Sequence, residues 1–205
     1  MRESLRAGIA IYNAGHYHAA HDAWEDHWLD LEPGTSDERL LHGLIQFTAA
    51  VHHANGRNWA GCVGLAESAL EYLAGIPADY RGVDLETVRA ALGVLARDPE
   101  VIERRSPWGI RHEGEVVTIE DLDVREVTIA AAVLAEELAF DVGAIERAGE
   151  YAVTDFEAGR DDSQCATLLR EFLRAEEDRG IVHDRLTAHV ERRASREADV
   201  DGLFE

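Results

Sequence analysis

The residues best suited to chemistry lie in one segment, Tyr12 to Trp28, which reads YNAGHYHAAHDAWEDHW. Within it, His21, Trp24, Glu25 and Trp28 are spaced i, i+3, i+4 and i+7. On an α-helix that spacing places all four side chains on one face. A soluble helix usually keeps its acids and imidazoles on the side that faces water, away from large aromatic side chains. This face therefore predicts either a ligand-binding site or a buried polar network.

A second polar face, on the next predicted helix, could complete such a site. His42, Gln46 and His53 lie at i, i+4 and i+11, which again is one helical face. A short connection between the two helices predicts antiparallel packing, so the two faces can meet. Imidazole and carboxylate groups suit Zn, Fe, Ni or Mn, and helical bundles build metal sites from such pairs. We therefore hypothesise a divalent metal with the ligands His21, Glu25, His42 and His53.

The spacing leaves three interpretations open. The sequence contains neither HExxH nor a pair of ExxH motifs, so a metal site competes with a catalytic pocket and with a structural network. In the structural case Glu25 would accept hydrogen bonds from His21 and from an indole N–H. Asp22 and Asp26 are turned about 100° from this face, which is typical of solvated acids. The two tryptophans of the segment are expected to anchor the core.

The charge balance of the chain restricts its partners and its environment. Among 205 residues, acids outnumber bases 41 to 20, the net charge is −21, and every base is arginine. This composition is typical of an extreme halophile, in which concentrated salt screens the repulsion between carboxylates. The alternative is an ordinary acidic protein that lacks lysine by chance. Because phosphate contacts need a basic patch, nucleic acids and anionic membranes are not expected partners.

The remaining composition indicates a soluble, cytoplasmic protein. The sequence has no 18-residue apolar run and no arrangement typical of a signal peptide. Cys62 and Cys165 are far apart and belong to no CxxC motif. We expect them to be buried thiols rather than a disulfide or a zinc site.

The periodicity of apolar residues predicts an all-α fold, a helical bundle of antiparallel helix hairpins with one short β-hairpin near residues 109–119. Three similar turns end helices, at 13–15, 54–56 and 157–159, and the residues after the first turn, Gly15 to Trp24, loosely resemble the spacing of tetratricopeptide helix pairs. Helical hairpins also commonly turn on Asn and Gly, so the repeat stays one of two interpretations. We expect a helical core at 1–78 that carries the motif His-Asp-x-Trp-Glu. A helical extension at 79–205 is expected to pack on that core as one unit.

The N-terminal third of the chain resembles the small helical family known as domain of unknown function number 309. Its motif, N-x-G-x-Y/F-x-E/A-A-H-E-x-W-E-x-x-W, is matched here from Asn13 to Trp28, with Asp22 in place of the usual Glu. The phrase G-L-I-Q is matched at 43–46. The turn phrase G-N-x-x-G-A corresponds to Gly56-Arg-Asn58-Trp-Ala-Gly61, with Gly61-Cys62 in place of Gly-Ala. The resemblance implies an all-helical fold without an established activity. It also implies a set of motif residues, namely His21, Trp24, Glu25, Trp28 and Gln46.

Two functions follow as hypotheses. The first is a binding or scaffold module, self-associating or with a protein partner, whose buried His/Glu/Gln/Trp cluster fixes the packing of its helices. The second is a metal-dependent enzyme, a hydrolase or an oxidoreductase, that acts at His21 and Glu25.

Overall fold

The computed structural model of this chain describes residues 1–160 and 162–201, with all their side chains except those of Asp26, Val200 and Asp201. Over these residues the chain forms nine α-helices and one antiparallel two-stranded sheet, so the predicted all-α bundle with a short β-hairpin is confirmed. The chain divides into two compact units, Met1–Asp121 and Leu122–Glu205. No helix in the described ranges is long and apolar enough to cross a membrane.

The first unit is built from helices that pack in chain order. Helix α1 packs on α2, α2 on α3, and α3 on α4. The third helix contributes more buried residues than any other helix of this unit, and Leu40, Leu44, Phe47 and Val51 are fully enclosed. The five helices of this unit are α1 (Arg2–Asn13), α2 (Tyr17–Leu29), α3 (Ser36–Asn55), α4 (Trp59–Leu73) and α5 (Leu85–Leu95).

Polar side chains mark the helix starts near the candidate site. Thr35 caps α3, because its hydroxyl accepts a hydrogen bond from the amide of Glu38 at 3.2 Å. Asn58 caps α4 by accepting from the amide of Gly61 at 3.1 Å. The sharp turn between α3 and α4 includes Arg57 in the left-handed region, at φ 58°. These caps fix where the polar faces of the two helices begin.

The predicted β-hairpin pairs β1 (Arg111–His112) with β2 (Glu115–Val116). Its two turn residues, Glu113 and Gly114, both have positive φ angles, 54° and 87°, as a tight two-residue hairpin turn requires. A hairpin of this size is marginal alone. It is held to the end of α1, where the Asn13 amide group donates to the carbonyls of Ile110 (2.9 Å) and Val117 (2.8 Å) and accepts from the Ile110 amide (2.8 Å).

The second unit contains the other four helices. They are α6 (Val124–Glu137), α7 (Val142–Glu157), α8 (Gln164–Arg174) and α9 (Arg179–Asp201). A buried carboxylate, Asp155 on α7, joins three segments of this unit. It accepts two hydrogen bonds from Arg193 on α9, at 2.8 and 2.9 Å, one from Ser163 at 2.8 Å, and two from Arg160, at 2.6 and 3.2 Å.

The two compact units divide the chain after Asp121, and the β-hairpin lies in the first of them. The division at 78 follows the extent of the sequence motif rather than internal packing, and it stays a prediction, as does the packing of residues 79–205 on the core. Both cysteines, Cys62 and Cys165, are buried and free. Burial raises the pKa of the Cys62 thiol to about 11, so this thiol is unreactive at neutral pH.

Candidate functional site

Trp24 of the His-Asp-x-Trp-Glu motif is a fully buried anchor between α2 and α1. Its indole N–H donates to the carbonyl oxygens of Ser4 and Leu5, at 3.1 and 3.3 Å. Gly8 makes room for the ring, because a Cβ at this position would lie 2.2 Å from the indole nitrogen. The motif tryptophan therefore fixes α2 on α1. Because His21 and Glu25 are on the same helix, Trp24 also fixes where their backbone lies.

Glu38, at the start of α3, is the centre of a polar network that the sequence motif does not indicate. Its carboxylate accepts hydrogen bonds from the Trp28 indole N–H (3.0 Å), the Gly34 amide (3.1 Å) and His42 Nδ1 (3.3 Å). Burial alone would raise the pKa of this carboxyl. The three donors outweigh burial and hold the pKa of Glu38 below its usual value.

His42 uses both ring nitrogens inside this network. Its Nε2 lies 3.5 Å from the Gln46 side-chain nitrogen, which donates to it when Nδ1 carries the proton directed at Glu38. One face of the imidazole stacks on the Tyr72 ring at 3.7 Å between centroids, and the Trp28 ring lies 4.6 Å away. Trp28, Glu38, His42, Gln46 and Tyr72 thus form a satisfied network, which we call the Glu38 network.

His53 lies in another place, at the turn between α3 and α4. Its Nδ1 accepts a hydrogen bond from the Asn58 side-chain amide at 2.7 Å. The same Asn58 caps α4, and Gly61 is required there because a Cβ would come within 2.9 Å of His53 Nδ1. His53 and Asn58 together explain why the turn phrase of the motif needs its asparagine and its second glycine.

A group of possible metal ligands lies on α2, at His21, Asp22 and Glu25. One ligand atom from each of the three lies within 4.8 Å of the other two. His21 Nε2 is 3.6 Å from a Glu25 carboxylate oxygen. The His21 side chain is 28% exposed and that of Glu25 is 45% exposed, so solvent ions can reach both. We call this group the His21 cluster.

Two further imidazoles lie near the His21 cluster. The rings of His18 and His21 are 6.1 Å apart between centroids, and the ring of His52 on α3 is 5.4 Å from that of His18. His18 Nδ1 is 3.8 Å from an Asp22 carboxylate oxygen. His18, His21, Asp22 and Glu25 are spaced i, i+3, i+4 and i+7, so this stripe is a neighbour of the face that the sequence analysis singled out.

The predicted residues therefore divide among three places. His21 and Glu25 remain together, His42 joins Gln46 and Trp28 in the Glu38 network, and His53 lies at the α3–α4 turn. No cluster of possible metal ligands in the described part of the chain includes His42 or His53. The four-residue ligand set stays a prediction, while Asp22, which we expected to be a solvated acid, lies beside His21 and Glu25.

Two residues of the Glu38 network were not predicted from the sequence, for different reasons. Glu38 is four residues before His42, so extending the His42–Gln46 face by one turn toward the helix start would have found it. Tyr72 is on α4, 30 residues away from the histidine on which it stacks. No local pattern in the sequence marks that contact.

Comparison with known families agrees with the resemblance seen in the motif. The family model described as Domain of unknown function (DUF309) matches residues 5–65, a segment that holds the whole His21 cluster together with Trp28, His42 and Gln46. No curated protein matches the chain. Residues 5–65 are therefore similar to the DUF309 family, and that description carries no activity.

Proposed function

We propose, on the premise that residues 5–65 form a DUF309 domain, that the chain is a helical binding module for one divalent transition-metal ion. The ligands are His21, Asp22 and Glu25, and the observation that carries the proposal is the convergence of their ligand atoms within 4.8 Å. Compared with the set expected from sequence, His21 and Glu25 are retained. Asp22 takes the place of His42 and His53, which have other hydrogen-bonding partners.

The distances within the His21 cluster suit a small cation. Metal–ligand bonds of about 2.0–2.1 Å at tetrahedral angles separate neighbouring ligand atoms by roughly 3.3–3.4 Å. The His21–Glu25 separation of 3.6 Å is close to this value, so a small side-chain rotation brings both atoms onto one ion. One imidazole and two carboxylates favour Zn²⁺, Mn²⁺, Fe²⁺ or Ni²⁺ over soft, thiolate-bound ions.

Three protein ligands leave coordination positions open, as catalytic sites do and closed structural sites do not. When bound, an ion at such a site lowers the pKa of coordinated water and polarises an oxygen of a substrate. The chain's own contribution is to hold the three ligands on one turn of α2, which Trp24 fixes against α1. Hydrolysis is therefore the enzymatic activity that this site would support.

The Glu38 network supports one part of the scaffold hypothesis, namely that a polar cluster fixes the packing of the helices. Its donors and acceptors are paired with one another, and Glu38 and His42 are only 12% and 17% exposed. We assign it the role of fixing α2, the helix that carries the His21 cluster, on α3. Self-association and a protein partner stay predictions.

The proposal is tested by calorimetric titration of chelator-treated protein with ZnCl₂ and with MnCl₂. We expect one ion per chain with at least one of the metals. His21→Ala and Glu25→Gln should each weaken binding by at least roughly tenfold, because each removes one of three ligands. The matched control is His27→Ala, which removes an imidazole from the same helix but outside the cluster and should bind as the wild type does.

Two outcomes would overturn the proposal. One is a wild-type protein that shows no saturable heat with either ion. The other is equal loss of binding in His27→Ala and His21→Ala, which would place the ion elsewhere on the chain.

A further inference from the structure

The groove between α8 and α9 in the second unit has a charge opposite to that of the chain as a whole. It encloses about 480 Å³. The α9 residues that line it are spaced i, i+3, i+4 and i+7, so they form one helical face. The six lining residues include two arginines, one histidine and no acid, in a chain whose net charge is −21. They are Gln164, Leu168, Arg185, Ala188, His189 and Arg192.

Two polar side chains of this groove, one arginine and one histidine, have no hydrogen-bonding or ion-pair partner in the described part of the chain. The guanidinium of Arg192 and the imidazole of His189 form neither a hydrogen bond nor an ion pair with any residue there; only the Arg192 carbonyl accepts a bond, from Arg196. By contrast, Arg185 at the other end of the groove donates to the Glu171 carboxylate at 3.3 Å. The uncompensated positive charge is therefore concentrated at Arg192, beside the unengaged imidazole of His189.

The local field at His189 is consistent with this assignment. Burial lowers the pKa of the His189 imidazole, and three nearby guanidinium groups lower it further. These groups belong to Arg192, Arg196 and Arg193, while the Asp155 carboxylate acts in the opposite direction. The positive charge of the neighbours exceeds what Asp155 offsets, and a neutral imidazole still offers one N–H donor to an anion.

We propose that the α8–α9 groove binds a small molecule that carries a phosphate group. The planar guanidinium of Arg192 matches phosphate oxygens in a bidentate pair, and His189 lies one turn away on the same face. Leu168 and Ala188 provide an apolar surface for the body of the ligand. This inference does not rest on the metal site, because all its residues lie in the second unit.

The test is calorimetric titration with phenyl phosphate, a phosphate on a compact apolar body, at constant ionic strength. The wild type should show one saturable site per chain. Arg192→Gln should weaken binding by roughly tenfold or more, since it removes a charge-assisted hydrogen bond, and His189→Leu, which leaves no donor, should also weaken it. The control Arg147→Gln changes an exposed arginine on α7 outside the groove and should leave binding unchanged.

Arg192 is exposed, so the variant should keep the far-UV circular dichroism spectrum of the wild type. Absence of saturable binding by the wild type would overturn the inference. So would equal losses in Arg192→Gln and Arg147→Gln. Binding of benzoate as tight as that of phenyl phosphate would overturn the assignment to phosphate.

Discussion

Glu25 and Glu38 are the same residue type on adjacent helices, and their surroundings differ. The Glu38 side chain is 12% exposed and accepts three hydrogen bonds, whereas that of Glu25 is 45% exposed and lies 3.6 Å from His21. The first is surrounded by donors from the fold itself. The second faces solvent beside other possible metal ligands. We therefore expect the two carboxylates to serve structure and binding respectively.

The substitution Glu38→Ala should lower the free energy of unfolding by about 2–3 kcal/mol, because it leaves the Trp28 indole and the Gly34 amide without their acceptor. In metal-free protein, Glu25→Ala should change it by less than about 0.5 kcal/mol. Urea denaturation followed by tryptophan fluorescence measures both, since all four tryptophans lie in the first unit. Glu67→Ala, at an exposed position on α4, is the control for removal of a carboxylate.

Equal stability losses for Glu25→Ala and Glu38→Ala would show that the two clusters are one structural network. The metal proposal would then lose its physical basis, because a ligand carboxylate that is also essential to the metal-free fold is a packing residue.

At the scale of helices and strands, the sequence predicted those elements whose pattern lies within a short segment. The periodicity of apolar residues predicted helices and a short hairpin near residues 109–119, and the structure confirms both. The attachment of the hairpin was not predictable, because it depends on Asn13, almost a hundred residues away. From the sequence, Asn13 is predicted only to lie in a turn that ends a helix. In the structure, its side-chain amide group forms hydrogen bonds with both ends of the hairpin.

The contact between Asp155 on α7 and Arg193 on α9 joins two helices, and its contribution to stability can be tested. The hydrogen bonds from Arg193, and then those from Arg160 and Ser163, hold the pKa of this carboxyl well below its usual range against the effect of burial. A group whose pKa is depressed by folding stabilises the fold above its unfolded pKa, about 4, and loses that contribution as the pH falls. Its contribution should therefore be complete at pH 7.

Asp155→Asn should lower the free energy of unfolding by about 2–4 kcal/mol at pH 7, since it leaves Arg193 with only the exposed Glu197 as a charged partner. The difference from wild type should shrink as the pH is lowered below about 4, because Asp155 then binds a proton in the unfolded wild-type chain but stays ionised in the folded one. Urea denaturation followed by far-UV circular dichroism at several pH values is the measurement. Asp184→Asn, at an exposed position on α9, should differ little from wild type at any pH. A constant difference across the pH range would contradict the assigned role of Asp155.

At the scale of the whole molecule, charge is the dominant feature. A net charge of −21 with arginine as the only base implies strong self-repulsion at low ionic strength. The screening length falls from about 10 Å at 0.1 M salt to about 3 Å at 1 M, which removes most repulsion between exposed carboxylates while contact pairs such as Asp155–Arg193 persist.

We therefore expect the melting temperature to rise by roughly 5–10 °C between about 0.1 M and 2 M KCl, which corresponds to about 2–3 kcal/mol for a chain of this size. Thermal melts in KCl and in equimolar tetramethylammonium chloride, followed by circular dichroism, would separate screening from specific binding of potassium. A melting temperature that stays constant or falls with KCl would contradict the halophilic interpretation.

The central claim is that His21, Asp22 and Glu25 hold a divalent metal ion, and elemental analysis tests it most directly. The protein would be purified in high salt without chelators and without nickel affinity resin, and its metals quantified by mass spectrometry. The account predicts close to one equivalent of Zn, Mn, Fe or Ni in the wild type and in His27→Ala, and a small fraction of that in His21→Ala. Metal-free wild-type protein, or a metal content that His21→Ala leaves unchanged, would contradict it.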